Sequence, residues 1–279
     1  IAPNAFKNSL DAGAAAVAIE KGLQQSRLTC TTECFPIGDG GDGTGNLLIE
    51  KCGGYFANAV VNDPLGRRIN TPFGFIDNGS TAVIEMASAS GLRLLQPSEL
   101  DPLHASSYGT GELILQALDK EVKKIILCVG GSATVDGGCG ILQALGIRFL
   151  DEKGNELKGI PESLVHLASV DVSGLDKRMT KCECIILCDV ANTLLGEKGA
   201  AKIFGPQKGA SEKQVLQLEA AVTQFSKITL AVTGIDMAGI VHGCAAGGVA
   251  AGVHTFRDAR LVNGIDCFMD VYGFDDVFE

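Results

Sequence analysis

Short apolar runs rich in β-branched residues alternate along this chain with segments whose apolar positions recur every three or four residues. A brief strand ends near Pro3, and Ser9 or Asp11 is placed to cap a helix reaching about Gln25. "TTECFPI" (31–37) reads as a second strand. The loop after it opens a helix over "TGNLLIEKC" (44–52), closed by Gly53 and Gly54, and "FANAVV" (56–61) is a third strand. Further strands fall at "STAVIEM" (80–86), "KKIILCVG" (123–130), "SVDVS" (169–173) and "CECIILCDV" (182–190), with helices at "GELILQALDKE" (111–121) and "GCGILQALG" (138–146). Ser211 and Gln214 form a capping box ahead of a long helix that places Val215, Leu218, Val222 and Phe225 on one face. Strands alternating with helices define an α/β protein whose sheet need not be purely parallel. The turn "NDPLGRR" (62–68), where Pro64 bars a helix, is the first candidate domain boundary.

Composition narrows the partners. At 279 residues the chain exceeds the usual single-domain size of roughly 100–200 and is expected to form two domains. A net charge of −10 disfavours nucleic acid or an anionic membrane surface as partner. The least polar long stretch, 237–256, contains five glycines and two histidines, which argues against a membrane span. The start "IAPNAFKNSL" lacks a signal pattern and begins inside an apparent strand, so a few preceding residues are expected. Ten cysteines without a signal pattern imply reduced thiols in the cytosol. Cys182, Cys184 and Cys188 fall on one strand face, too far apart end to end for one zinc, and read as packing thiols.

Glycine clusters in loops. "GDGGDG" (38–43), "SYGTGE" (107–112), "GGSATVDGGCG" (130–140), "FGPQKGA" (204–210) and "AAGG" (245–248) each adjoin an expected element. Any one could be a tight turn, but five interleaved with Ser, Thr, Asp and Lys point to anion and nucleotide handling. Gly38, Gly40 and Gly43 fit G-x-G-x-x-G, with Asp63 twenty residues beyond, as a dinucleotide fingerprint requires. Asp39 and Asp42, however, would face the pyrophosphate's own charge. Two carboxylates beside phosphate suit Mg²⁺, which takes one or two carboxylates plus phosphate oxygens and water in phosphoryl transfer. The Walker-type phosphate loop does not occur in the sequence.

Taken in order, "APNAFKNSL", "DGGDGT", "DPLG", "VIEMASASGL", "SYGTGELI", "GGSATVDGG", "CDVANTLLGEKGA", "FGPQKGA" and "AAGG" resemble the blocks of the bacterial-type glycerate kinases across essentially the whole chain. The resemblance implies ATP- and Mg²⁺-dependent phosphorylation of D-glycerate, usually to 2-phosphoglycerate. It implies two α/β domains with the site between them. The first is Rossmann-like and discontinuous, residues 1–66 and about 255–279, and the second, 67–254, is inserted with a mixed sheet. Two positions depart from the family pattern: Asn4 stands where Asp is usual and Val135 where Asn is usual. Family members also continue past a sequence such as "DVYGFDDVFE" with a Thr-Gly-Glu-Gly block and further first-domain elements.

Several residues take expected roles. Lys7, ahead of a helix and inside a family block, places a cation beside phosphate. Asp39 and Asp42 are candidates for binding Mg²⁺ or accepting the glycerate hydroxyl proton; their alternative is to cap the next helix. Asp189 ends a buried strand, where sites form in open α/β sheets, with Asn192 three residues on. Ser9, Gly40, Gly41, Thr110, Gly131, Ser132, Thr134 and Asp136 are candidates for gripping phosphate or the glycerate carboxylate. Arg67, Lys198 and Lys208 supply positive charge. His104, His166, His242 and His254 show no pairing that suggests a triad. An NAD-dependent dehydrogenase and a non-catalytic glycerate- or nucleotide-binding remnant are the competing readings.

Overall fold

The computed structural model describes residues 1–6 and 9–273. Its chain order is α1 (Ala12–Gln24), α2 (Thr44–Lys51), β1 (Tyr55–Asn62), β2 (Arg68–Ile76), β3 (Thr81–Glu85), α3 (Met86–Ser90), α4 (Tyr108–Leu118), β4 (Lys124–Cys128), α5 (Cys139–Ala144), β5 (Arg148–Leu150), β6 (Ser169–Asp171), β7 (Glu183–Cys188), α6 (Ala200–Phe204), α7 (Glu212–Thr233), α8 (Ala245–Arg257), β8 (Arg260–Asn263) and α9 (Gly264–Tyr272). Among the described residues a six-stranded sheet runs β1-β2-β3-β4-β7-β8, and β5 pairs with β6 separately. β3, β4, β7 and β8 are mutually parallel, whereas β1 and β2 are antiparallel to their neighbours. The expected mixed α/β sheet is therefore present.

Continuous apolar runs form the central strands because both faces are covered. Cys182, just before β7, and Cys184, Ile186 and Cys188 on it point into a core shared with α4, α5 and α8. Ile185 and Leu187 point the other way, toward Leu48 and Ile49 of α2 and Phe268 of α9. The three cysteines thus share one face as packing thiols; burial pushes the Cys184 and Cys188 thiols up to about 12. A third cluster joins α7, β5 and β6 through Phe149, Leu218, Val222 and Phe225. Ser211 caps α7 reciprocally with Gln214, as its sequence predicts. Asp11, rather than Ser9, caps α1 by accepting from the Ala14 amide at 2.6 Å.

Two expectations are revised. The first two strands reduce to paired extended segments, with Phe35 N donating to Ile1 O at 2.8 Å and Ile37 N to Pro3 O at 2.9 Å. Pro3 has no N–H to extend that ladder. The strand expected at 169–173 stops at Asp171, whose carboxylate turns the chain by accepting from Ser173 N at 2.9 Å. The turn at 63–67 joins β1 to β2 as a hairpin, with Gly66 at φ 82. No helix among the described residues is long and apolar enough to cross a membrane.

Candidate active site

Four parallel strands end on one edge of the sheet, and the 38–43 loop is laid across it. Gly130 N, just after β4, donates to Gly40 O at 3.3 Å. A Cβ on Gly40 would stand 3.1 Å from the Leu187 carbonyl carbon of β7 and 3.2 Å from Gly264 Cα, after β8. That approach, and φ 91 at Gly40 with 94 at Gly43, is what the glycines permit. Strand ends of open α/β sheets are where ligands gather, because side chains and loop amides from several strands converge there.

The two aspartates have different neighbours. Asp39 Oδ1 accepts from Gly41 N at 2.8 Å, and its Oδ2 accepts from Asn4 Nδ2 at 2.7 Å. It therefore makes an Asx turn within the loop and does not cap the next helix, whose N-cap is Gly43, while each oxygen keeps a further lone pair. Asp42 lies against Gly131 and pairs with the exposed Arg93. Burial pushes the Asp42 carboxyl up, against the opposing pull of the guanidinium. Gly40 and Gly41 do not offer phosphate free amides, since Gly40 N donates to Thr44 Oγ1 at 3.1 Å and Gly41 N to Asp39.

Glu85 and Arg93 complete this edge, and neither was anticipated. Glu85, the last residue of β3, is 7% exposed and accepts from Gly45 N at 2.7 Å. Burial pushes its carboxyl up to about 7, held back by the Gly45 amide and raised further by Asp42. An acid closing the apolar run "TAVIE" is the same strand-end signal that singled out Asp189, so it was available in the sequence. Arg93 sits in a one-turn helix whose neighbour Leu92 donates its amide to Gly131 O at 2.9 Å, a non-local contact that no short pattern announces.

The remaining candidates are placed as follows. Ser132 follows Gly131 on the β4 loop and bridges Gly91. Lys208 is wholly buried, donating to Ser132 Oγ at 2.8 Å and Thr134 O at 2.6 Å, and burial drives its ammonium down to about 7. Asp136, fully buried, accepts from Ser107 N, Ser107 Oγ, Gly138 N and Gly140 N at 2.6–3.2 Å, so it ties together the starts of α4 and α5. Thr110 Oγ1 is bound to Ser90 Oγ at 2.8 Å. Arg67 is held by Asp63 and Glu99, and Asp63 also accepts from the Leu65 and Arg67 amides at 2.9 Å. Asn192 donates to Lys198 O at 2.9 Å and fixes the loop after β7, and its carbonyl accepts from Cys244 N at 3.2 Å. Asp189 is exposed at the end of β7, and Ser9 lies in an exposed turn. Lys7 lies outside the described residues. His104 Nδ1 meets Asp101 Oδ2 at 2.7 Å, His254 Nδ1 meets Ala259 O at 2.8 Å, and His242 Nδ1 meets Val190 O, 52 residues away, at 2.7 Å.

This geometry disfavours the dinucleotide reading. Asp63 is consumed by the β1–β2 turn, and the helix after the glycine loop leads into an antiparallel hairpin rather than a parallel crossover strand. The donor set fits a metal carried in by phosphate. Among the described residues there is no group of three His, Cys, Asp or Glu able to hold an ion unaided. Asp39 and Asp42 instead offer the one or two carboxylates that Mg²⁺ takes beside phosphate oxygens and water.

The sequence matches the glycerate kinase family over residues 1–279. The chain belongs to the glycerate kinase family. It is 42% identical over 266 residues to the glycerate 2-kinase of Escherichia coli (strain K12), covering 95% of this chain and 70% of that protein. It is 41% identical over 279 residues to a glycerate kinase of Bacillus subtilis (strain 168), covering 100% of this chain and 73% of the relative. A solved glycerate kinase 2 structure from Salmonella typhimurium LT2 superposes with a TM-score of 0.87 at 41% identity, covering 99% of this chain and 74% of that one.

Proposed function

We propose that this member of the family phosphorylates D-glycerate with ATP and Mg²⁺, forming 2-phosphoglycerate, in the cytosol. The observation that carries this reading is the acid loop spread over the ends of β3, β4, β7 and β8, with an arginine at its rim. Bound with ATP, Mg²⁺ supplies charge neutralisation at the phosphate oxygens. Asp42, partly buried with its carboxyl raised, is the better placed acid to accept the glycerate hydroxyl proton, and Asp39 holds the loop's first turn. Arg93, exposed at the rim and paired with the single carboxylate of Asp42, supplies positive charge beside the acid loop for an anionic substrate, whereas Arg67 is held by two carboxylates and Lys208 is enclosed.

The test is glycerate-dependent formation of ADP with and without Mg²⁺, with the product identified by phosphorus NMR, alongside calorimetric titration of ATP and NAD. Turnover that requires both glycerate and Mg²⁺ is expected. Binding of NAD without ATP would overturn the reading.

A further inference from the structure

We propose that Glu85 is a positioning residue: from the end of β3 its carboxyl takes the place of the N-cap side chain that α2 lacks, and so fixes where Asp42 stands. The proposal rests on the functional reading above in so far as Asp42 governs turnover. The first amides of a helix have no partner within it and are ordinarily met by a Ser, Thr, Asp or Asn at the N-cap. The N-cap of α2 is Gly43, at φ 94 and ψ −11, with no side-chain hydrogen bond of its own. A left-handed residue there returns the chain from the acid loop into the helix, a conformation glycine adopts without strain. The cap must then come from elsewhere.

Glu85 provides it. Its Oε1 accepts from Gly45 N at 2.7 Å, and the amides of Gly43 and Asn46 also stabilise the carboxylate. The fit leaves no slack: a Cβ on Gly45 would stand 2.7 Å from Glu85 Cγ, 3.2 Å from its Oε1 and 3.2 Å from Val83 Cγ1. Capping from a neighbouring strand ties α2 to the same edge that carries Gly130 and Gly131. The loop is thereby held at three points. These are the Asp39 turn with Asn4, the Gly130–Gly40 bond, and the Glu85–Gly45 bond. Asp42 lies between the last two. An ordinary serine cap would serve helix stability alone without this placement, and would not require burying an ionisable acid.

The test compares Glu85→Gln, which keeps an acceptor oxygen without the charge, with Glu85→Ala, which removes the acceptor. Amide hydrogen exchange is read at Gly43, Gly45 and Asn46, together with kcat and KM at a temperature well below melting. Glu85→Ala should speed exchange at those amides about ten-fold or more while β4 and α4 stay protected. Its kcat should fall about ten-fold or more with KM for glycerate within about two-fold, and Glu85→Gln should retain most of both. Unchanged exchange in Glu85→Ala would overturn the proposal. So would a Glu85→Gln protein with wild-type exchange but the kcat of Glu85→Ala, since charge rather than position would then be the function. If Glu85→Ala does not fold, Glu85→Asp, one methylene shorter, carries the same comparison. Absence of glycerate-dependent turnover in the wild-type chain would defeat the functional reading, and the exchange comparison would still decide whether Glu85 holds the loop.

Discussion

Asp39 and Asp42 stand three residues apart but should respond differently to the same substitution. Asp42→Asn removes a carboxylate whose protein partner is a surface arginine, and such pairs contribute little to stability. Its melting temperature should stay near wild type while Mg²⁺-dependent turnover falls by ~10²-fold or more, the scale of a lost general base. Asp39→Asn keeps an oxygen for Gly41 N but presents an amide beside Asn4, so a measurable drop in melting temperature is expected as well. Equal turnover in the wild type and both variants would exclude a metal or proton role for the loop. Lys208 adds a pH signature. Its ammonium loses its proton in the fold at about 7 against 10.5 outside it, so between those values the unfolded chain holds more protons and stability rises with pH. Lys208→Met lacks this titration and leaves Ser132 and Thr134 O without their donor. Denaturant unfolding should show the wild type's margin over Lys208→Met widening from pH 7 to pH 10; a flat or narrowing margin would mean that the lysine stays charged when buried.

At the scale of elements, Gly130 is the point where β4 touches the acid loop. A Cβ there would lie 2.4 Å from Gly41 Cα and 2.6 Å from Asp42 N, both backbone atoms that can yield only by moving the loop. Gly130→Ala should therefore lower kcat steeply. Ser211→Ala, which breaks the α7 capping box far along the chain, should cost about 1 kcal/mol with kcat unchanged. Comparing the two by urea melts and steady-state kinetics separates loop placement from general stability. The same contrast explains what the sequence made legible. The β4 and β7 strands and the α7 cap are written in adjacent residues, as an unbroken apolar run and a Ser–Gln pair. The β1–β2 hairpin was hidden because Pro64 and Gly66 read equally well as a turn within a sheet or between domains. The use of Glu85, Arg93, Asp136 and Lys208 depends on partners dozens of residues away, so residue type alone suggested charge near a ligand for Asp136 and Lys208 and singled out neither Glu85 nor Arg93. Asp136 and Lys208 brace the loops behind the acid edge.

At the scale of the molecule, the three apolar clusters among the described residues are joined rather than separate. α5 and its C-cap give Ile141 and Leu145 to the core on one side of the large sheet, and α5 gives Cys139 and Leu142 to the cluster around α7. α8 divides Val249, Val253 and Ala251 in the same way. The buried cysteines sample all of these regions: Cys182, Cys184 and Cys188 in the first, Cys139 and Cys244 in the second, and Cys128 on the opposite sheet face with α2 and α9. Burial raises these thiols and keeps reagent from them, so they react only when their surroundings open. Cys30 and Cys52 are exposed and should label within the mixing time of a thiol-reactive dye. Because shared helices couple the cores, the six buried thiols are expected to label together, at one rate that rises with urea as global unfolding does. Mass spectrometry of peptides from partly labelled protein checks this directly. Early labelling of Cys139 and Cys244, with the sheet cysteines still protected, would show instead that the α7 cluster opens as a unit of its own and that the two helices do not transmit stability between the cores.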